Sequence, residues 1–313
     1  MARTILDEVE KSVFSLGASR VRHDLKPVNE VVSEYYDYVD EQSKRDEELS
    51  GVPTGLYDLD KLLGGMQKSD LLIVAGRPGT GKTGFLLSVA KTAAQKYKKN
   101  VAMFSLEMSN QQLVQRLIAQ ETGIDTLRLR TGKLQDHEWD VFTKAIDVLS
   151  ATNIWLDDTP AITPLAMRTK CRRLDNEHKL DLVLVDYLQL MSSDSRNENR
   201  VQEVSYISRS LKALARELQV PVLAAAQLSR AVESREEKKP VLSDLRESGS
   251  LEQDSDIVIF IHKSKESDKT TNLIVAKHRN GPTSPGIGVV FLEKLAKFVN
   301  AAPAESEPAP EKR

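Results

Sequence analysis

One glycine-rich stretch limits the fold of this chain more than any other part of its sequence. Residues 71–75 are apolar, and the pattern G-x-x-x-x-G-K-T follows them, beginning at Gly76. A helix-forming stretch, residues 84–97, comes next. This is the order of strand, loop and helix that a phosphate-binding P-loop requires. The sequence therefore predicts a nucleoside triphosphate site in an α/β domain.

The loop itself carries the groups that recognise phosphates. Its glycines let the backbone turn so that successive N–H groups face one anion, at the positive end of the following helix. Lys82 is expected to reach the β- and γ-phosphates, and the hydroxyl of Thr83 to ligate Mg²⁺. The predicted nucleotide-binding residues are Gly76, Arg77, Pro78, Gly79, Thr80, Gly81, Lys82 and Thr83.

Composition excludes several classes of protein. The 313 residues are 40% hydrophobic and 29% charged, which is ordinary for a globular chain. No apolar run approaches the roughly 18 residues of a membrane span, and the first residues do not form a signal peptide. The single cysteine, Cys171, allows no internal disulfide, so we expect it to pack inside a cytoplasmic protein. A net charge of −2 predicts that any nucleic-acid site is a local cluster of basic groups.

The sequence divides into three parts. Apolar residues repeat at helical spacing within residues 5–16 and again within residues 28–39, on either side of a connector that contains a proline. We interpret residues 1–48 as a helical docking arm, the alternative being a helix packed on the chain's own core. Residues 49–300 have the pattern of an α/β domain. Residues 301–313, rich in Pro, Ala and Glu, are expected to be disordered.

Alternating strands and helices predict the architecture of the central domain. The strand candidates besides the P-loop strand are residues 101–105, 154–156, 182–185, 222–226 and 257–261. They are apolar throughout, and helical patterns lie between most of them, which indicates a mostly parallel sheet covered by helices on both faces. Ser109 opens a capping box, and Thr163 precedes a proline at a first helical position. Residues 272–276 and 287–292 are expected to form an antiparallel hairpin at the sheet edge.

Three polar residues follow predicted strands, and the carboxyl ends of parallel strands are where chemistry collects in such a sheet. Asp186 ends an apolar strand, as the acid that holds Mg²⁺ in a P-loop site does. Glu107 could orient and deprotonate the attacking water, and Gln227 could sense the γ-phosphate. Each also has an ordinary interpretation, as a cap, a first-turn acid or a surface amide. Because all three follow strands beside one P-loop, we favour the catalytic interpretation.

Several stretches resemble the motor domain of the DnaB family of replicative hexameric DNA helicases, which has a RecA-like fold. They are SGVPTGLYDLDKLLGG, GRPGTGKT, FSLEMS, LVLVDYLQLM, AAAQLSR, LSDLRESGSLEQDSD and AKHRNGP. They occur in the family's order from residue 50 to about residue 292. The stretch LDEVEKSVFSL resembles the family's linker helix, which docks on the neighbouring subunit. No stretch resembles the family's amino-terminal helical domain, so contact with primase is not expected of these residues.

The resemblance implies roles for the nucleotide site. By it, Lys82, Thr83 and Asp186 hold ATP and Mg²⁺, and several nucleoside triphosphates are expected to be accepted. Glu107 is implied to be the catalytic base. Gln227 is implied to couple the γ-phosphate to the loops that grip DNA.

The resemblance also implies contacts outside that site. Lys277 and Arg279 match the family's basic pair, which is supplied to the nucleotide of the neighbouring subunit. Arg246, Glu247 and Gly249 match residues that contact the backbone of single-stranded DNA. Without the family motif, these charges would be interpreted as solvated surface. Two polar stretches, residues 192–200 and residues 229–239, are long enough to be loops that line a central channel.

These expectations combine into one function and two alternatives. The chain is expected to be an ATP-driven motor that forms a homo-hexamer through its linker helix, with a helicase loader as a further partner. By resemblance it moves 5′ to 3′ on single-stranded DNA and unwinds duplex. A RecA-like strand-exchange recombinase is the first alternative, which FSLEMS, DYLQLM and RESGSLEQ argue against. A nucleotide-gated ring scaffold is the second, which an intact Glu107 argues against.

Overall fold

A computed structural model describes residues 25–44, 49–194, 199–235, 239–245, 249–263 and 270–301. The chain divides between Glu48 and Leu49 into two units, and each is described by itself. Helix α1 (Val28–Ser43) belongs to the first unit. Its apolar side chains are exposed, with Val28 at 77%. The predictions for residues 5–16 and for the tail beyond residue 301 lie outside the described residues.

A nine-stranded sheet forms the centre of the second unit, counted over the described residues. The strands are β1 (Leu71–Gly76), β2 (Val101–Ser105), β3 (Ile154–Asp157), β4 (Leu182–Asp186), β5 (Val222–Gln227), β6 (Ile257–His262), β7 (Thr270–His278), β8 (Ser284–Leu292) and β9 (Lys297–Asn300). Their order across the sheet is β3-β2-β4-β5-β1-β6-β7-β8-β9. Strands β1 to β6 are parallel to one another, and β7, β8 and β9 are antiparallel. The predicted parallel sheet with an antiparallel edge is confirmed.

Strand β9 is an addition that the sequence does not predict. It pairs with β8 and takes the edge position, so the antiparallel extension has a third strand beyond the predicted hairpin. Its four residues carry little strand signal of their own. Phe298 nevertheless packs on Phe291, with ring centroids 4.6 Å apart, and on Phe85 of the P-loop helix, 5.6 Å away. Burial of this aromatic ring therefore selects the strand.

α-Helices lie between the successive parallel strands. In the second unit they are α2 (Tyr57–Leu63), α3 (Lys82–Lys91), α4 (Asn110–Thr122), α5 (Thr126–Thr131), α6 (Asp136–Ser150), α7 (Pro164–His178), α8 (Arg200–Leu218) and α9 (Gly249–Asp254). Ser109 and Gln112 form the predicted capping box of α4, and Thr163 caps α7 ahead of Pro164. No helix in the described ranges is long and apolar enough to cross a membrane.

The core lies on both faces of the sheet, as its apolar strands predict. Leu72 and Val74 of β1 pack on one face with α3, where Phe85 is fully buried. Ile73 points to the other face, where residues of α7 and α8 pack. Cys171 of α7 is in this second layer, and burial raises the pKa of its thiol to about 12. The prediction that Cys171 packs is therefore confirmed.

Candidate nucleotide site

The ends of four neighbouring parallel strands converge on one cavity. Gly76 at the end of β1 lies opposite Gln227 at the end of β5, and Ser105 at the end of β2 lies opposite Asp186 at the end of β4. The cavity has a volume of about 430 Å³. Its lining includes Pro78, Gly79, Gly81, Lys82, Thr83, Glu107, Arg116, Asp186, Tyr187, Gln227, Phe291 and Glu293. A site of this size is typical for a small-molecule ligand.

The glycine-rich loop forms one wall of this cavity. Gly79 and Gly81 have φ values of 80° and 93°, in the left-handed region that favours glycine. A Cβ at Gly81 would also lie 2.7 Å from the ring of Phe291, so no side chain fits there. Helix α3 begins at Lys82, directly after this turn. The unpaired N–H groups of its first turn and its positive dipole end therefore lie at the cavity, as an anion site requires.

Lys82 projects its ammonium into the loop. Its Nζ donates to the carbonyl oxygen of Gly76 at 3.0 Å and to that of Arg77 at 3.2 Å. Burial lowers the pKa of Lys82, and the carboxylates of Asp186 and Glu107 act in the opposite direction. The ammonium is thus held over the loop by two carbonyl groups that an incoming phosphate could replace.

Asp186 is the residue of the cavity whose environment best fits a metal ion. Its carboxylate is buried, and Oδ2 has no hydrogen-bond partner among the described residues. Burial raises the pKa of Asp186, while a hydrogen bond from Thr83 and the charge of Lys82 lower it. Such an orphaned oxygen beside a hydroxyl fits Mg²⁺, which is commonly held by one or two protein oxygens together with phosphates and water. No cluster of three or more His, Cys, Asp or Glu side chains occurs in the described part of the chain, so an all-protein metal cage is absent there.

Glu107 and Gln227 complete the polar lining. Glu107 is exposed at the cavity, and the N–H of the preceding Leu106 donates to the carbonyl oxygen of Asp186 at 2.7 Å. The backbone of Gln227 is held by the side chain of Gln189, which accepts from its N–H at 3.2 Å and donates to its carbonyl oxygen at 3.3 Å. Gln189 was not predicted, because an amide within LQL carries no signal of this contact.

Arg116 is a second residue that sequence reasoning missed. It lies on α4, half-buried, and lines the cavity with Glu107 and Asp186. Burial lowers the pKa of Arg116, and these two carboxylates act in the opposite direction. The sequence signal for Arg116 is its position three residues after the apolar Leu113, which places both residues on the same side of the helix.

Arg77 directs its side chain away from the phosphate loop. Its guanidinium donates to the carbonyl oxygen of Leu228 at 3.0 Å and pairs with Glu233 at 2.8 Å. The hydroxyl of Thr80 donates to the carbonyl oxygen of Arg77 at 2.8 Å. The backbone of Arg77 therefore belongs to the loop, while its side chain contacts the segment after β5.

Lys277 and Arg279 are not brought to the P-loop of their own chain. Lys277 of β7 pairs with Val258 near the start of β6, which in turn pairs with Ile73 in β1. Arg279 follows β7, so it lies beyond the amino end of the parallel strands, whereas the P-loop follows their carboxyl ends. The six residues of β1 span about 17 Å from the amino to the carboxyl end of the strand, at a rise of about 3.3 Å per residue.

Both basic residues bind the end of α9. Lys277 donates to the carbonyl oxygens of Glu252 and Ser255. Arg279 donates to the carbonyl oxygen of Gln253 at 3.3 Å and pairs with Asp256 at 3.2 Å. Cations at a helix carboxyl end are stabilised by its dipole. The guanidinium of Arg279 remains half-exposed.

The predicted DNA contacts are only partly within the described residues. Arg246 and Glu247 lie outside them. Gly249 begins α9, and a Cβ added there would meet nothing within 4 Å. Of the two predicted channel loops, the second contains a short 3₁₀ helix, Arg230–Ser234, while residues 195–198 and 236–238 lie outside the described ranges.

A buried acidic pair lies at the amino ends of the parallel strands, whereas the cavity lies at their carboxyl ends. Asp256 accepts from the N–H of Leu71 at 2.8 Å and from the ammonium of Lys212. Asp70 is its neighbour. Burial raises the pKa of Asp70 to about 6, the charge of Asp256 adds to this, and Lys212, His278 and Arg279 oppose it.

Asp70→Asn should stabilise the chain at neutral pH. The pKa of Asp70 is about 6 in the folded chain and about 3.9 when unfolded. Stability therefore falls as pH rises through this window, by about 2–3 kcal/mol in total, and asparagine removes the loss. Urea unfolding at pH 8 and pH 4.5 should show the gain mainly at pH 8. Asp58→Asn, at an exposed carboxylate of α2, is the control, and equal gains at both pH values would contradict the prediction.

Comparison with known proteins identifies relatives along most of the chain. A family model described as "DnaB-like helicase C terminal domain" matches residues 51–300. The "Replicative DNA helicase DnaB" of Geobacillus stearothermophilus is 46% identical over 303 residues, covering 95% of this chain. This chain spans 66% of that relative's length, slightly less than two thirds.

Solved structures show the same similarity in three dimensions. One is described as an "ATPase Domain", with a TM-score of 0.83 and 34% identity over 89% of this chain and 100% of that one. Another is described as "The Structure Of A DnaB-Like Replicative Helicase And Its Interactions With Primase". Its TM-score is 0.81, with 32% identity over 96% of this chain and 76% of that one.

Proposed function

We propose that this chain, which belongs to the family of DnaB-like helicase C-terminal domains, is the ATP-hydrolysing motor of a replicative DNA helicase. The observation that carries the proposal is the orphaned Oδ2 of Asp186, buried beside Thr83 and Lys82 in the cavity at the strand ends. In this proposal residues 49–300 are the motor, residues 1–48 a docking arm and residues 301–313 a tail. We propose that the activity takes place in the bacterial cytoplasm, with a bacterial chromosome, a plasmid or a phage as the origin of the chain.

The polar residues of the cavity have distinct roles in this proposal. Lys82 exchanges its two carbonyl partners for the β- and γ-phosphates of ATP, and Thr83 and Asp186 would hold Mg²⁺. When bound, this ion supplies charge neutralisation at the phosphates. Glu107 accepts a proton from water, whose oxygen bonds to the γ-phosphorus as the bond to the β–γ bridging oxygen breaks. ADP and inorganic phosphate are the products, and Gln227 registers the loss of the γ-phosphate.

The site is proposed to be shared between subunits of a homo-hexamer. Lys277 and Arg279 lie towards the amino ends of the parallel strands, whereas their own P-loop follows the carboxyl ends. They are therefore better placed to serve the nucleotide of a neighbouring copy. A guanidinium supplied from outside the site can neutralise charge in the transition state of phosphoryl transfer. The exposed apolar side chains of α1 support the proposal that the arm docks on another copy. A helicase loader is a further proposed partner, and no primase contact is assigned to these residues.

Turnover of ATP with and without single-stranded DNA, together with the solution mass, tests this function. The expected result is an ATPase rate that DNA increases severalfold, in an assembly of six 34.9-kDa chains. A rate that DNA leaves unchanged, in a ring that still binds nucleotide, would favour a nucleotide-gated scaffold instead.

Arg246→Ala should weaken binding to single-stranded DNA equally for all sequences. Phosphate recognition carries no base information, so affinity should fall without a change in base preference. The slope of log K against log salt should fall by roughly 0.7 for each phosphate that the variant no longer neutralises. Fluorescence titrations with two homopolymers at several salt concentrations measure both quantities. A changed base preference with the same salt slope would contradict the assignment, and Arg173→Ala, an exposed arginine of α7, is the matched control.

A further inference from the structure

The side chain of Arg77 connects the phosphate loop to the segment that follows β5. We call residues 228–235 the exit segment. Arg77 reaches it twice, through the carbonyl oxygen of Leu228 at 3.0 Å and through Glu233, whose Oε1 lies 2.8 Å from its guanidinium. The arginine side chain is largely buried, at 18% exposure, whereas that of Glu233 is 57% exposed. The ion pair therefore has a fixed end on the phosphate loop and a solvent-facing end on the exit segment.

The backbone of Arg77 is linked to the nucleotide site as well. Its carbonyl oxygen accepts from the ammonium of Lys82 at 3.2 Å. A phosphate group that binds Lys82 competes for this ammonium, because a charge-assisted bond to phosphate is stronger than one to a neutral carbonyl. The peptide of Arg77 then loses a donor when nucleotide binds and regains it when the phosphates leave. Occupancy of the loop is thus linked to the residue that holds Glu233.

The exit segment is fastened to the residues that precede Arg246. The N–H of Ser229 donates to the carbonyl oxygen of Asp244 at 2.9 Å, and Leu228 and Leu245 form a β-bridge. The guanidinium of Arg235 pairs with both carboxylate oxygens of Asp244, which is 1% exposed. These contacts therefore hold the exit segment, which contains Glu233, against Leu245, one residue before Arg246 in the sequence.

We propose that the ion pair between Arg77 and Glu233 couples occupancy of the phosphate loop to the affinity of this chain for single-stranded DNA. The inference rests on the proposed function, since it takes DNA as the second ligand. It assigns a positioning role to Glu233, which is not among the residues that line the nucleotide cavity. Glu233 is also distinct from Arg246, Glu247 and Gly249, although it lies within the second predicted channel loop. The contact between Arg77 and Glu233 does not involve the side chain of Gln227, whose backbone is held by Gln189.

A structural role and a coupling role make different predictions for Glu233. Glu233 is the exposed member of the pair, and carboxylates open to solvent contribute little to the free energy of unfolding through ion pairs. Glu233→Gln should therefore fold normally and bind ATP as the natural chain does in the absence of DNA. Coupling between two sites acts equally in both directions. The informative quantity is therefore the coupling ratio, the Kd for a single-stranded oligonucleotide without nucleotide divided by the Kd with a non-hydrolysable ATP analogue.

The coupling ratio should fall about fivefold in Glu233→Gln, at the low end of the range for coupled sites. Glu177→Gln is the matched control, because Glu177 is exposed to a similar extent as Glu233 and pairs with Arg173 on α7 at 3.1 Å. It should leave the ratio unchanged. Arg77→Gln should lower the ratio as well. If the two residues act as one link, the double variant should have the ratio of the worse single variant, not the product of the two losses.

The possible outcomes separate this inference from the proposed function. A large ratio in the natural chain that Glu233→Gln preserves would overturn the coupling role while leaving the motor intact. Multiplicative losses in the double variant would overturn the link between Arg77 and Glu233. A ratio of one in the natural chain would contradict the proposed function, and the inference with it.

Discussion

Lys82→Ala is expected to reduce ATP turnover by about 10³ or more. Removing one preorganised donor from an oxyanion typically costs about 10²–10³ in rate, and Lys82 contributes a full charge to the phosphates in addition. Its Nζ lies within the loop, on the carbonyl oxygens of Gly76 and Arg77, where no other lysine of the described residues reaches. Steady-state phosphate release measures the effect.

Two variants show whether this loss has the proposed cause. Lys99→Ala removes an ammonium 4.0 Å from Asp181, outside the cavity, and should leave turnover unchanged. Glu107→Gln keeps the shape of the side chain but removes the base, so ATP should still bind while hydrolysis falls by about 10²–10⁴. Normal turnover in Glu107→Gln would show that another group activates the water.

Arg279→Ala is expected to be nearly inactive for a different reason. Arginines supplied to a neighbouring site contribute roughly 10³–10⁵ in rate. The register of β7 places Arg279 beyond the amino ends of the parallel strands, away from its own P-loop. Its present partners, Asp256 and the carbonyl oxygen of Gln253, leave the guanidinium half-exposed and able to extend to another subunit.

Mixing two inactive chains tests whether the site is shared. In rings that contain both Lys82→Ala and Arg279→Ala subunits, some borders pair an intact P-loop with an intact arginine. ATP turnover should then partly return, and native mass measurements confirm that the rings are mixed. No recovery in confirmed mixed rings would mean that Arg279 acts within its own subunit or has no catalytic role. Arg173→Ala in place of Arg279→Ala is the control and should be active alone.

Much of the fold could be predicted because its signals are local. Apolar runs bounded by glycine and polar residues predicted β1 and β4, and capping residues such as Ser109 marked a helix start. Strand β9 escaped prediction because its four residues are selected by the contacts of Phe298 with distant rings. Only the folded chain brings these rings together.

The sequence also indicated which residues would meet at the candidate nucleotide site, for a related reason. The residues that end strands, such as Asp186 and Gln227, share one edge of a parallel sheet whatever the details of packing. Arg116 reaches the cavity from a helix, and Gln189 holds the backbone of Gln227 from a 3₁₀ turn. In both elements the sequence spacing does not reveal which way a polar side chain points. Arg77 lies inside the motif, yet its side chain points to Glu233, a contact across 156 positions of sequence.

Directional movement on single-stranded DNA is the most direct test of a motor. A biotin at either end of an oligonucleotide, blocked by streptavidin, reports which end the protein reaches when ATP is supplied. A 5′ to 3′ motor should displace streptavidin from the 3′ end faster than from the 5′ end, and Glu107→Gln should displace neither. Equal, ATP-independent loss from both ends, in protein that hydrolyses ATP, would contradict the proposal that this chain moves along DNA.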